Sequence, residues 1–266
     1  MRPLCLVMLC LVLSLPLRAE ELVTLPTRDG VTQSYLLTAP AGGAPRAIAV
    51  LFAGGGGNIR LRREDGAARV SSSNFLVRSR HEFARWGTVA AVVDAPSDRQ
   101  SGMNDDFRAS ANHLADVRLI IADLERRFPK TPVFLVGTSR GTVSAAHVGR
   151  EMGSGVAGVV LTAAVYLASG PRPRQLPLGL SRFDFASIKA PVLLVHHRKD
   201  GCGVTPYDSA RRLADRYPLI SVSGGSPPGS RPCDALSEHG FLGRESATVE
   251  EIVNWMLRKP HRSEID

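Results

Sequence analysis

The stretch TPVFLVGTSRGTVSAAHVGRE, Thr131 to Glu151, sets a lone serine between two glycines where a strand hands over to a helix. Val133 to Val136 is an apolar run of the kind that fills a buried strand, and Thr142 to Glu151 continues with helical character. Between them lies Gly137-Thr138-Ser139-Arg140-Gly141. A serine hydroxyl attacks a carbonyl only if a base takes its proton and donors await the developing oxyanion. A sharp strand-to-helix turn lifts the serine clear of the backbone, and glycines two residues before and two after relieve the crowding that such a turn creates. The N–H of the next residue, Arg140, then points at the oxyanion position beside a helix N-terminus. By composition alone the G-x-S-x-G pattern arises in on the order of a tenth of chains this long. The strand before it and the helix after it make the signal specific.

Outward from this turn, short β-branched runs alternate with longer amphipathic stretches, the pattern of helices packed on both faces of a mostly parallel sheet, an α/β fold. ELVTLP and TQSYLLTAP read as an opening hairpin, and Ala47 to Phe52 as a buried strand running into four glycines, Gly54 to Gly57. A helix is expected over Asn74 to Arg85, a second buried strand over Thr88 to Val93, and a long helix over Asp105 to Phe128 whose apolar face carries Leu114, Val117, Ile120, Ile121 and Leu124. Pro129 and Pro132 stop that helix. After the turn come the strand VAGVVLTAAV, a Pro- and Arg-rich connection from Ser169 to Pro177, the strand APVLLVHH, the helix PYDSARRLADRY, the strand LISVSG, the loop GGSPPGSRP and a closing helix SATVEEIVNWMLRK. No repeat, low-complexity block or domain boundary interrupts the series, so residues 20–266 are expected to form one domain.

The chain has 266 residues, 44% hydrophobic and 22% charged, enough to bury a sizeable core without the composition of a membrane or disordered protein. Arg2, the apolar run Leu4 to Leu17, then Ala19 ahead of Glu20 and Glu21, follow signal-peptide grammar, with cleavage near Ala19. The run is shorter than a spanning helix needs and is broken by Ser14 and Pro16, so export to the periplasm or medium is expected, with no stable membrane insertion afterwards. The net charge is +8, but aromatics are only 6% and no nucleic-acid motif accompanies the basic residues, which suits a solvated surface. Cys5 and Cys10 leave with the leader; Cys202 and Cys233 remain, and an exported chain is expected to pair them in a disulfide.

With the elbow, the alternating elements and the glycine loop in place, the mature sequence resembles the α/β-hydrolase family from Glu21 to about Lys259, as a compact member. The family's order is nucleophile, acid, histidine. The resemblance implies Ser139 as nucleophile, Asp200 in the loop after APVLLVHH as the acid, and His239 in CDALSEHGFLG, before the last helix, as the base. Asp208 and Asp184 are alternatives for the acid. The family's oxyanion loop corresponds to LFAGGGGN, which implies backbone donors at Gly55 and Gly56 beside that of Arg140; Ala53 stands where the common H-G-G pattern has its histidine. Of the other histidines, His196 and His197 fall on a strand as structural residues, His147 is expected to pack, His113 to face solvent, and His81 and His261 to lie on the surface.

Other chemistries lack their residues. Gly54 to Gly57 completes no G-x-G-x-x-G register, because Ile59 and Arg60 occupy the last position, and no Walker lysine follows. HEFAR is not H-E-x-x-H and there is no C-x-x-C, so neither a metal nor a cofactor is implied. The reading is an exported serine hydrolase of small carboxylic esters. A peptidase or amidase with the same three residues is an alternative within enzymes, and a catalytically silent binding protein of the same fold is an alternative outside them. The connection from about Tyr166 to Lys189 is too short for a large lid, and Arg140, Asn58 and Met103 are candidates for the substrate pocket.

Overall fold

The computed structural model describes residues 20–167 and 179–266; the leader at 1–19 and the Ser169 to Pro177 connection lie outside the described residues. The chain opens with the hairpin β1 (Glu21–Arg28) and β2 (Val31–Thr38), then β3 (Ala47–Phe52). A small antiparallel pair follows, β4 (Arg62–Glu64) and β5 (Ala67–Arg69), and then helices α1 (Phe75–Arg78) and α2 (Arg80–Arg85). Next are β6 (Thr88–Val93), α3 (Asp105–Arg108), α4 (Ala111–Arg127), β7 (Val133–Thr138) and α5 (Gly141–Met152). The second half comprises β8 (Gly158–Thr162), β9 (Val192–His197), α6 (Tyr207–Leu213), β10 (Leu219–Val222), α7 (Glu245–Met256) and β11 (Glu264–Ile265).

Nine of these strands form one sheet in the order β1-β2-β6-β3-β7-β8-β9-β10-β11. Only β1 with β2 and β2 with β6 pair antiparallel; every other neighbour is parallel. Parallel strands covered on both faces carry continuous apolar runs rather than alternation, and every residue of β3, β6 and β7 is buried. Their side chains still divide by face. Ile48, Val50 and Phe52 pack with α4 and α5, whereas Ala47, Ala49 and Leu51 pack with α1, α2 and α7. Each fully buried Val, Leu or Ile contributes about 1.5–3 kcal/mol, so these two layers hold the sheet rigid beneath its loops. From β3 the chain passes to β6 on one side and then to β7 on the other, which makes the carboxyl ends of β3 and β7 the place where an open sheet accommodates a ligand.

The boundaries of β3 and β6 agree with the sequence reading at both ends. Two expected helices are each broken in two. The Asn74 to Arg85 helix stops and restarts at Ser79, and the Asp105 to Phe128 helix is interrupted at Ala109, because the Ser110 hydroxyl caps α4 by accepting from His113 N at 3.3 Å. The pairs β4–β5 and β10–β11 have no counterpart in the sequence reading. The two described ends of the Tyr166 to Lys189 connection lie close together, with Leu180 N donating to Val165 O at 2.7 Å.

Candidate active site

Ser139 sits between β7 and α5 with φ of 52°, in the left-handed region that costs a non-glycine residue about 1–3 kcal/mol. The turn holds it there through Ser139 N donating to Thr162 O at 3.0 Å and through its own carbonyl accepting from Thr142 N at 3.0 Å and Thr142 Oγ1 at 2.6 Å. The flanking glycines are sterically required. A Cβ on Gly137 would stand 2.5 Å from Gly141 O, and one on Gly141 would overlap the carbonyl oxygen of Phe52. The N–H of Arg140, at the first turn of α5, has no hydrogen-bond partner among the described residues.

Asp200 follows β9, and its side chain is fully buried. Its Oδ1 accepts from Cys202 N at 2.9 Å; its Oδ2 accepts from Thr205 Oγ1 at 2.9 Å and lies 2.9 Å from His239 Nδ1 and 3.3 Å from His196 Nε2. Burial alone would raise the pKa of this carboxyl, but the hydrogen bonds from His196 and His239, with their charges, outweigh it and hold the group well below the usual carboxylate range. An ionised carboxylate only accepts, so His239 Nδ1 carries the proton and Nε2 presents its lone pair. That Nε2 is buried and without a partner among the described residues. His239 is carried on a single turn, Glu238–Gly240, which Ser237 caps by accepting from His239 N at 3.2 Å. The disulfide Cys202–Cys233 ties the loop of Asp200 to the loop that leads into His239.

A cavity of about 210 Å³ connects these parts, with Gly54, Gly55, Asn74, Ser139, Asp234 and His239 in its wall. The glycine loop is pinned from three sides: Gly57 N donates to Gly54 O at 3.1 Å, Met103 N to Gly56 O at 2.7 Å, and the buried Arg108 Nη2 to Gly55 O at 3.1 Å and Ala53 O at 3.3 Å. The N–H groups of Gly55 and Gly56 have no partner among the described residues.

Of the residues singled out in the sequence, Ser139 and His239 border the cavity and Asp200 lies directly behind His239. Asp208 is instead exposed and paired with Arg211, and Asp184 caps a short turn through Ala186 N. Asn58 turns to the Gln100 carbonyl, Met103 packs beneath Gly57, and the Arg140 guanidinium pairs with Asp105 at 2.9 Å, so none of these three side chains lines the cavity. His113 does not face solvent. It is fully buried, with ring centroids 6.0 Å from Phe52 and 5.6 Å from Phe107, because it stands four residues before Val117 and seven before Ile120 and so shares the buried face of α4. Thr205, His196 and Arg108 are contributors that sequence reasoning missed; only the spacing of Thr205 from Asp200, within one loop, could have drawn attention to it.

Among the described residues no group of three or more His, Cys, Asp or Glu side chains is arranged to hold a metal ion, and no helix is long and apolar enough to cross a membrane. A larger cavity, of about 390 Å³, lies at the opposite end of the sheet beside Phe134 and Trp255 and offers neither a nucleophile nor a carboxylate.

The sheet, the elbow and the loop arrangement are those of the α/β serine hydrolases. Residues 70–223 match the hydrolase family described as serine aminopeptidase, S33, and the chain belongs to that family; the match includes Ser139 and Asp200 and ends before His239. Solved structures share the fold at low identity. Est1E from Butyrivibrio proteoclasticus superposes with a TM-score of 0.62 at 13% identity, over 89% of this chain and 98% of that one. A serine hydrolase without a lid from Xanthomonas campestris gives 0.56 at 11%, over 88% and 94% of the two chains. The esterase domain of a Rhodothermus marinus protein gives 0.57 at 16%, over 90% and 98%. No curated protein matches the chain by sequence.

Proposed function

We propose that this hydrolase cleaves carboxylic esters, with Ser139 as nucleophile, His239 as general base and then acid, and Asp200 as the group that orients the imidazole. The observation that supports it most is the pairing of His239 Nδ1 with Asp200, which leaves Nε2 unpartnered in the wall of the cavity that Ser139 shares. In the first step the Oγ–carbonyl carbon bond forms, the Oγ proton passes to His239 Nε2, and the carbonyl electron pair moves onto oxygen. The N–H groups of Arg140 and Gly55, with Gly56 beside them, are free to receive that oxyanion. Collapse expels the alcohol, protonated by His239, and water repeats the sequence on the acyl-enzyme. A cavity of about 210 Å³ is smaller than the usual drug-sized ligand site, which favours short acyl groups.

The Rhodothermus marinus neighbour is an esterase domain, which is consistent with this choice. The family's description as an aminopeptidase, with Asp234, whose carboxylate pairs with Arg231, among the residues of the cavity wall, favours a second reading in which an aminoacyl amide is cleaved by the same residues. Turnover of p-nitrophenyl esters of graded acyl length against aminoacyl anilides decides between them, and a fluorophosphonate probe should label Ser139 in either case. No labelling and no turnover would return the chain to the silent binding proteins. Export is part of the proposal, supported by the leader grammar and by the Cys202–Cys233 disulfide. Mass spectrometry of protein from the native host tests it, with a retained Met1 as the contrary result.

A further inference from the structure

We propose that the side-chain amide of Asn74 is a catalytic residue: it donates a hydrogen bond to the substrate carbonyl oxygen as attack by Ser139 turns that oxygen into an oxyanion. The proposal rests on Ser139 being the nucleophile. Asn74 precedes α1, and its Oδ1 accepts from Leu76 N at 3.2 Å while its backbone N–H donates to Ser72 Oγ at 3.2 Å. An amide has one oxygen, so committing it to the Leu76 N–H turns the NH₂ group the other way. That NH₂ makes no hydrogen bond among the described residues, and Asn74 stands in the wall of the cavity that holds Ser139 and His239.

Gly54 shows how close the amide comes to the reacting centre. A Cβ on Gly54 would stand 2.9 Å from Ser139 Cβ and 3.3 Å from Asn74 Nδ2, so the serine and the amide both border the same point, at the start of the glycine loop. The capping role uses only the oxygen, and serine or aspartate would fill it equally well. The NH₂ is the half of the side chain that the helix does not need. A side-chain amide fixed in orientation before substrate arrives is the kind of donor that stabilises charge at no cost of reorganisation during the reaction.

Asn74→Ser keeps a neutral cap and removes the amide, and Asn74→Asp keeps the cap oxygen while replacing the donor by a carboxylate. Both are compared with the wild type and Ser139→Ala on p-nitrophenyl acetate, with melting temperatures measured in parallel. Asn74→Ser should lower kcat by about 100-fold with KM changed less than about threefold, in line with the loss of one oxyanion donor, and Asn74→Asp should lower it further. Both should melt within a few degrees of the wild type, as a change confined to the cap would also allow; it is the fall in kcat that a cap alone does not predict. A kcat within about threefold of wild type in both variants overturns the proposal, as does a rise in KM with kcat unchanged, which would make Asn74 a ground-state contact. A wild type whose turnover survives Ser139→Ala overturns the nucleophile assignment and this role with it, and the Ser139→Ala control separates that result from the others.

Discussion

His239 and Asp200 meet through Nδ1 and Oδ2 at 2.9 Å although 39 residues separate them, and the same Oδ2 accepts from Thr205 Oγ1 at 2.9 Å. The carboxylate is therefore held by donors other than the histidine it pairs with. With its pKa held low, Asp200 stays ionised at every pH above the ordinary aspartate value of 3.8. Its contribution to stability is fully present above that value and is lost only as pH falls through the lower folded-state pKa. On the proposed mechanism, in which the three act as a unit, Ser139→Ala should lower ester turnover by about 10⁴-fold or more, His239→Ala by nearly as much, and Asp200→Asn by roughly 10⁴-fold. Asp208→Asn, on the exposed face, should leave kcat unchanged; a reversal of the two aspartate results would reassign the acid.

Ser139 also stores backbone strain at φ of 52°, which glycine would not feel. Ser139→Gly is expected to be inactive and more stable than Ser139→Ala by about 0.5–1 kcal/mol, measured by urea denaturation. Equal stability of the two variants would mean that the elbow carries no strain at this residue.

His113 gives the fold an acid sensitivity unrelated to catalysis. Burial, with smaller contributions from the Arg108 and Arg28 charges, lowers its pKa from 6.5 to about 3, and both ring nitrogens lack partners among the described residues. Because the folded-state value lies below the unfolded one, the neutral ring's contribution is intact above pH 6.5 and is lost as pH falls from there towards 3. One proton taken up on unfolding corresponds to about 1.4 kcal/mol per pH unit. His113→Phe, a ring placed between Phe52 and Phe107, should flatten the stability profile between pH 6 and about 4 by roughly that slope. An unchanged profile in chemical denaturation would assign the sensitivity elsewhere, His147 being the next candidate with its pKa lowered to about 4.

The parts of this site that were legible in the sequence are those defined by local chain geometry. The elbow needs Gly137 and Gly141 at fixed offsets, and the strands β3 and β6 are uninterrupted apolar runs, so each can be located without its neighbours. The residues that escaped are defined by contacts across the fold. Arg108 is defined by partners on the glycine loop and α5, far from it in the chain, and His113, expected to face solvent, is buried with Val117 and Ile120 against Phe52 and Phe107. Asn74 read as the start of a helix, and only the approach of Gly54 places its amide beside Ser139. The pairing of β10 with β11 rests on two residue pairs, too few to leave a periodic signal.

Arg108 is 1% exposed, and its guanidinium bridges the glycine loop, through Gly55 O and Ala53 O, to Ser144 Oγ of α5 at 2.9 Å. No carboxylate lies within ion-pair distance among the described residues, so carbonyl and hydroxyl oxygens provide its solvation. Arg108→Met removes a costly buried charge but leaves these acceptors without donors, at about 1–3 kcal/mol each. The acceptors outnumber the single ion, and a net loss of about 1–3 kcal/mol is expected, with kcat reduced roughly tenfold as the loop loosens. Arg108→Lys retains the charge and should recover part of both. Full kcat in the methionine variant would show that the glycine loop holds its shape through Gly57 N and Met103 N alone.

The disulfide should couple stability to activity. Cys202 and Cys233 are 31 residues apart, and closing a loop of that length stabilises a fold by roughly 3–4 kcal/mol on the chain-entropy account. For a chain of this size the loss should lower the melting temperature by about 6–15 °C. Activity is linked because Cys202 N donates to Asp200 Oδ1 and Cys233 borders the cavity, so each half of the bond touches a loop that carries Asp200 or leads into His239, the proposed acid and base. The Cys202→Ala, Cys233→Ala double variant, assayed at 25 °C well below its transition, should lose about 10- to 100-fold in kcat, the effect of moving catalytic groups by about 1 Å. Thiol titration of the denatured, unreduced wild type should find neither cysteine free. Two free thiols would remove the bond. An oxidised pair whose loss lowers the melting temperature but not kcat would confine it to stability, with Thr205 and His196 then sufficient to hold Asp200 in place.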